Sequence, residues 1–144
     1  MTQPQINSFY GMNRFLSNFY PAVIIYDGIT YPTVEHAYQA SKTLNMSVRR
    51  DISQLPTPGG AKRAGRRLIL RPGWDDMKIG VMDIILHRKF EIPHLRQSLL
   101  DTGNAYLIEG NTWGDTYWGV CNERGQNHLG KLLMKIRAEL AQEV

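Results

Sequence analysis

The sequence predicts an α+β fold: a single compact, mostly helical domain with a small antiparallel sheet, spanning residues 1–144. Three observations carry this. Leu129, Leu132, Leu133, Ile136 and Leu140 form an apolar stripe at helical spacing near the C-terminus. Asp27-Gly28, between two short apolar runs, is the dipeptide that supplies positive φ angles to a two-residue hairpin. Helical and strand patterns do not alternate as β-α-β units, which argues against a doubly wound parallel sheet.

The elements follow in order. Residues 23–26 and 29–31 read as the hairpin strands. Tyr31-Pro32-Thr33 ends the second strand and Thr33 caps a helix running to about Leu44. Residues 46–54 form a second short helix, which Pro56, Pro58 and Gly59-Gly60 interrupt. Residues 61–68 have helical composition apart from Gly65. Trp74, Met77, Val81, Met82, Ile85 and Leu86 recur at 3, 4 and 7, an amphipathic helix continuing to Lys89-Phe90. Pro93 opens another through Leu95, Leu99 and Leu100; Gly103-Asn104 turns the chain; residues 106–109 read as a strand. A loop rich in Gly, Asn and Trp then leads to the last helix.

Composition bounds the class. With 144 residues, 42% of them hydrophobic, the chain suffices for one core. It has no apolar run long enough to span a bilayer, and Met-Thr-Gln-Pro-Gln at the N-terminus lacks the basic and apolar regions of a signal peptide, so a cytoplasmic location is expected. The single Cys121 suits a reducing compartment and reads as a small hydrophobe. The net charge of +4 is concentrated locally, in Lys62, Arg63, Arg66, Arg67 and Arg71. Such a stretch suits a phosphate-bearing ligand or nucleic acid, or else a solvated helix face. The Gly-rich turn before it would leave helix N–H groups free for an anion.

The chemistry-bearing residues centre on 33–42. Helical spacing puts Glu35, Tyr38, Gln39 and Lys42 on one face, with the small Ala37, Ala40 and Ser41 opposite. Small side chains permit close helix approach, which would turn the polar arc to a cleft; the competing reading is a solvated helix whose Glu35 complements the macrodipole. A carboxylate beside an ammonium in a cleft is a candidate for proton chemistry. Trp113-Gly114-Asp115-Thr116-Tyr117-Trp118-Gly119 offers indoles to stack on a base or to anchor a core, and a carboxylate that could equally shape a turn. The stretch from Asn13-Arg14 to Asn18-Phe19-Tyr20 adds amides, a guanidinium and aromatic rings. There is no Walker loop, Gly-x-Gly-x-x-Gly, Gly-x-Ser-x-Gly or helical His pair, and His36, His87, His94 and His128 are scattered, so neither metal nor cofactor is expected.

Together these segments resemble the YbiA-like, or NADAR, family over almost the whole chain. The matching pieces are Leu16-Ser17-Asn18-Phe19, Pro32 with Glu35-His36, Gln39-Ala40 and Lys42, Ala61-Lys62 with Gly65-Arg66, Trp74, and Lys89-Phe90. Further on come Asp115 with Tyr117-Trp118-Gly119, Asn127 with Leu129-Gly130, Leu133-Met134, and Arg137. The resemblance implies a YbiA-like α+β fold and hydrolysis of N-glycosidic bonds between a ribose and a base. The implied substrates are ADP-ribosylated guanine, in nucleic acid or as a small molecule with ADP-ribose as product, or a phosphoribosylamino-pyrimidine intermediate of riboflavin synthesis.

On that resemblance, Glu35 stabilises an oxocarbenium-like centre or handles the proton, and Lys42 tunes it or attacks the opened sugar to form an imine. Asp115 is the second carboxylate, an alternative acid or base. Trp74 and Trp118 would clamp a base, Asn18 and Asn127 the ribose hydroxyls, and Arg14, Lys62 and Arg66 the phosphates, with Phe19, Tyr38, Gln39 and Gly119 also lining the site. Many members have an acidic residue or glycine after Trp-Gly; here Val120-Cys121 follow Gly119, which bears on substrate choice. A non-catalytic ADP-ribose or NAD-binding module and a plain DNA-binding protein are the competing classes. No membrane and no obligate protein partner are expected.

Overall fold

The computed structural model describes residues 3–143; residues 1, 2 and 144, the ends of the expected domain and the start of the run read for a signal peptide, lie outside them. In chain order they form β1 (Gln5–Ile6), a 3-10 helix (Gly11–Leu16), β2 (Ile24–Tyr26), β3 (Ile29–Tyr31), α1 (Val34–Ala40), α2 (Met46–Ser53), α3 (Pro58–Arg66), α4 (Trp74–Lys89), α5 (Pro93–Asp101), β4 (Tyr106–Leu107) and α6 (His128–Gln142). Helices dominate, as the sequence predicts. None among the described residues is long and apolar enough to cross a membrane. The chain divides into two compact units, residues 18–92 and residues 3–17 with 93–143.

In the first unit, Asp27 and Gly28 take φ of 50° and 80° and close the antiparallel β2–β3 hairpin, with Ile24 opposite Tyr31 and Tyr26 opposite Ile29. Every residue of α1 is buried, because α2, α3, α4 and the hairpin all pack on it. Thr33 caps this helix: its Oγ accepts from the His36 backbone N–H at 3.1 Å. The Thr33 hydroxyl in turn donates to His36 Nδ1 (2.7 Å), and His36 Nε2 donates to the Leu55 carbonyl (2.9 Å). Burial lowers the His36 pKa, so the ring is a neutral core strut.

Two helix boundaries differ from the sequence reading. α1 stops at Ala40 instead of about 44, because Arg71 supplies the missing partners at its C-terminus, its backbone N–H donating to Lys42 O at 2.8 Å and its Nη1 to Ser41 O at 3.4 Å. α3 starts at Pro58 instead of 61: Thr57 Oγ accepts from Gly60 N–H at 3.0 Å, and proline at the first helical position costs no hydrogen bond. At Gly65, α3 comes so close to α1 that an added Cβ would overlap the Gln39 side chain. Arg49, buried on α2, ties the hairpin down through Asp27 Oδ2 (2.9 Å) and Thr43 O (2.8 Å).

In the second unit, β1 runs parallel to β4, pairing Gln5 with Tyr106 and Ile6 with Leu107. This pair adds to the expected antiparallel sheet; two residues are too short to show alternation in a sequence. α6 packs on β4 and α5, burying Leu129, Leu133 and Ile136 beside Leu95, Leu99 and Leu107.

Candidate functional site

The face of α1 carrying Glu35, Tyr38 and Gln39 is buried: these side chains retain only 7%, 6% and 4% of their exposure. The solvated-helix reading therefore fails. Gln39 Nε2 donates to Glu35 Oε1 at 2.9 Å, an i,i+4 bond between polar groups held out of water. The Gln39 Oε1 is buried with no hydrogen-bond partner, pressed against Gly65. The α1 N-terminus is anchored by Asn18, whose carbonyl accepts from Glu35 N–H at 3.0 Å. The Asn18 side chain donates to Met82 Sδ (3.7 Å), while its Oδ1 is buried without a partner. Phe19 beside it is exposed.

Lys42 follows α1 and is half-buried, with Nζ 5.6 Å from the Tyr38 ring centroid. Tyr38 in turn meets Trp74 of α4, ring centroids 5.4 Å apart and tilted by 51°. Burial lowers the Lys42 pKa; Glu35 opposes that shift, and the charges of Arg66, Lys78 and Lys62 add to it. Lys42 thus responds to one carboxylate and to three cations from α3 and α4, Lys78 being itself paired with Asp75 at 3.3 Å, and this surplus of positive charge favours a polyanionic ligand. An amine of depressed pKa is also a better nucleophile near neutrality than an ordinary lysine.

The other unit carries its own group. Asp115 Oδ1 accepts from the backbone N–H groups of Tyr117 (3.1 Å) and Trp118 (2.9 Å), while Asn111 brackets Asp115 through both ends of its amide. Trp118 stands edge-on to Tyr117 with ring centroids 5.0 Å apart, and Tyr117 packs on His128 at 4.6 Å. Gly119 is buried where a Cβ would overlap the Glu109 carbonyl and carboxylate. Asn127, in the left-handed region at φ 53°, accepts from Glu109 N–H (3.0 Å) and donates to Leu107 O (2.9 Å), so its amide joins β4 to the start of α6. Arg14 sits exposed on the 3-10 helix.

The structure therefore gathers Glu35, Tyr38, Gln39, Lys42, Lys62, Arg66 and Trp74 in one unit, together with Asn18 and Phe19 at the head of α1. Arg14, Asp115, Trp118, Gly119 and Asn127 belong to the other unit. Sequence reasoning passed over Lys78. Its signal was the i,i+4 spacing from Trp74, which puts both on one face of α4. It also gave no role to Lys89, which is fully buried with Nζ 5.9 Å from the Tyr20 ring and 5.3 Å from the Phe90 ring, its pKa lowered by burial to about 7.

The model of the NADAR domain matches residues 8–141. The N-glycosidase YbiA of Shigella flexneri is 44% identical over 131 residues, covering 88% of this chain and 81% of that protein. A riboflavin biosynthesis protein of Vibrio vulnificus is 35% identical over 130 residues, 88% of this chain but 35% of the longer relative. The NMR structure of Escherichia coli YbiA superposes with a TM-score of 0.85 at 40% identity, covering 99% of this chain and 89% of that one.

Proposed function

The chain belongs to the NADAR family, and from that premise we propose that it is an N-glycosidase hydrolysing the bond between a phosphorylated ribose and a base, with ADP-ribosylated guanine as substrate. The observation that carries the reading is the buried Glu35, oriented by Gln39 and coupled by charge to Lys42, which Arg66, Lys78 and Lys62 also influence. In such a hydrolysis the C1′–N bond breaks with its electron pair leaving on the base nitrogen, which takes up a proton. Positive charge develops at C1′ and the ring oxygen, and a water supplies the hydroxyl that replaces the base.

In this reading Glu35 opposes that positive charge, and its hydrogen bond from Gln39 means that little reorganisation is needed as the charge appears. Lys62, Arg66 and Lys78 suit the two phosphates of ADP-ribose, while the Tyr38–Trp74 pair is buried and backs Lys42 instead of clamping a base with an open face. In the other unit, Asp115 orders the loop that carries Trp118 through its backbone hydrogen bonds. The test is chromatography of an oligonucleotide bearing one ADP-ribosylated guanine, after exposure to the native chain or to Glu35→Gln. Release of ADP-ribose by the native chain alone supports the reading; an unchanged oligonucleotide overturns this substrate.

A second reading is favoured by the Vibrio vulnificus relative: the same bond cleavage on a phosphoribosylamino-pyrimidine. It requires a single phosphate, so neutralising Lys78 or Arg66 would leave more activity on that substrate than on the diphosphate.

A further inference from the structure

Residues 55–74 contain five cations and no acidic side chain. The fold gives these cations different tasks. Lys62 and Arg66 act on Lys42, and Arg71 closes the C-terminus of α1, whereas Arg63 on α3 and Arg67 at its C-cap are exposed with no such task. Directly beyond α3 the chain leaves the helix, and there Ile69 is 94% exposed and Leu70 47% exposed. The 2.8 Å bond from Arg71 N–H to Lys42 O lays this segment against the one that follows Lys42, where Leu44 is 61% exposed. Burying an isoleucine side chain stabilises a fold, and this one forgoes that gain at the margin of the Glu35–Lys42 cluster.

We propose that this ridge, formed by Ile69, Leu70 and Leu44 and flanked by Arg63 and Arg67, receives the nucleic-acid strand that carries the modified guanine. The inference rests on the ADP-ribosylguanine reading and adds to it the surface that holds the strand. The one-sided charge selects the partner: arginines meet phosphates, while an acid-free stretch offers nothing to the cations of an ordinary protein surface. The aliphatic side chains have a distinct task. A base acted on by an enzyme leaves its stack, and apolar wedges fill or cover the faces that its departure exposes.

Two surface variants test this, Ile69→Ser with Leu70→Ser, and Arg63→Gln with Arg67→Gln. Each is measured by fluorescence anisotropy with a labelled unmodified single-stranded oligonucleotide, and by turnover of ADP-ribosylguanine both in an oligonucleotide and as the free nucleoside. The serine variant should bind the strand about tenfold more weakly and lose turnover in proportion on the oligonucleotide, with turnover of the free nucleoside unchanged. The glutamine variant should reduce the slope of log affinity against log salt by about 1 to 2. Equal affinity for native chain and serine variant overturns the proposal, as does a native chain that turns over only the free nucleoside, although N-glycosidase activity then stands. A native chain inactive on both substrates removes the substrate reading, while the anisotropy comparison still decides the surface. A native dimer that the serine variant makes monomeric, with strand affinity unchanged, would assign the ridge to a second copy of the chain.

Discussion

Gln39 holds Glu35 by a 2.9 Å hydrogen bond one turn along a helix with no solvent face. A carboxylate fixed in this way is oriented by the protein and not by water, so both its oxygens have a defined direction. Gln39→Ala should lower kcat about ten- to a hundredfold with KM little changed, and Glu35→Gln about a thousandfold. Steady-state kinetics on an ADP-ribosylguanine substrate check both. A Gln39→Ala chain with native kcat would remove the orienting role.

Gly65 is the complement of that bond. A methyl group there would overlap Gln39 Oε1 and approach its Cδ at 2.6 Å, and Gln39 is too deeply buried to swing aside. Gly65→Ala should therefore destabilise by about 1–3 kcal/mol, the usual cost of overpacking, although alanine is the better helix former. Thermal unfolding reads the loss, and a fall in kcat beyond that of an exposed control such as Gly80→Ala reads the displaced Gln39.

Lys89 makes stability depend on pH. Its amine titrates near 10.5 in the unfolded chain and at about 7 in the fold. Below pH 7 both states carry the charge, and its burial weighs fully against the fold. Between pH 7 and 10.5 the folded amine is neutral while the unfolded one is charged, so unfolding takes up a proton and stability rises with pH, by up to about 1.4 kcal/mol per unit. Urea unfolding from pH 6 to 9 should show this rise in the native chain and a flatter profile in Lys89→Met. Parallel profiles would assign the rise to other groups.

The sequence showed the hairpin and the outer helices because their signals are local: Asp27-Gly28 needs only two residues, and the α6 stripe repeats within one element. It also put Glu35, Tyr38, Gln39 and Lys42 on one face. It could not show that α1 is buried all round, because the helices that cover it arrive from distant parts of the chain. The role of Arg71 as the stop of α1 was hidden for the same reason: its partners, Ser41 and Lys42, lie some thirty positions earlier. The two-residue β1–β4 pair exists only through its partner strand, so no periodicity announced it.

Asp115 raises the question of whether a carboxylate acts by its charge or by its shape. Its Oδ1 accepts from the N–H groups of Tyr117 and Trp118, the bonds of an Asx turn that presents the Trp118 indole. Asparagine has the same oxygen in the same place and can form the same turn, whereas alanine cannot. If shape is what matters, Asp115→Asn should keep activity within about tenfold of native, and Asp115→Ala should lose at least about a hundredfold together with the native tryptophan fluorescence. If Asp115 were the acid or base, asparagine would be as inactive as alanine while its fluorescence stayed native. The two bonds accepted by one oxygen favour the first outcome, and kinetics and emission spectra of the two variants, measured together, distinguish them.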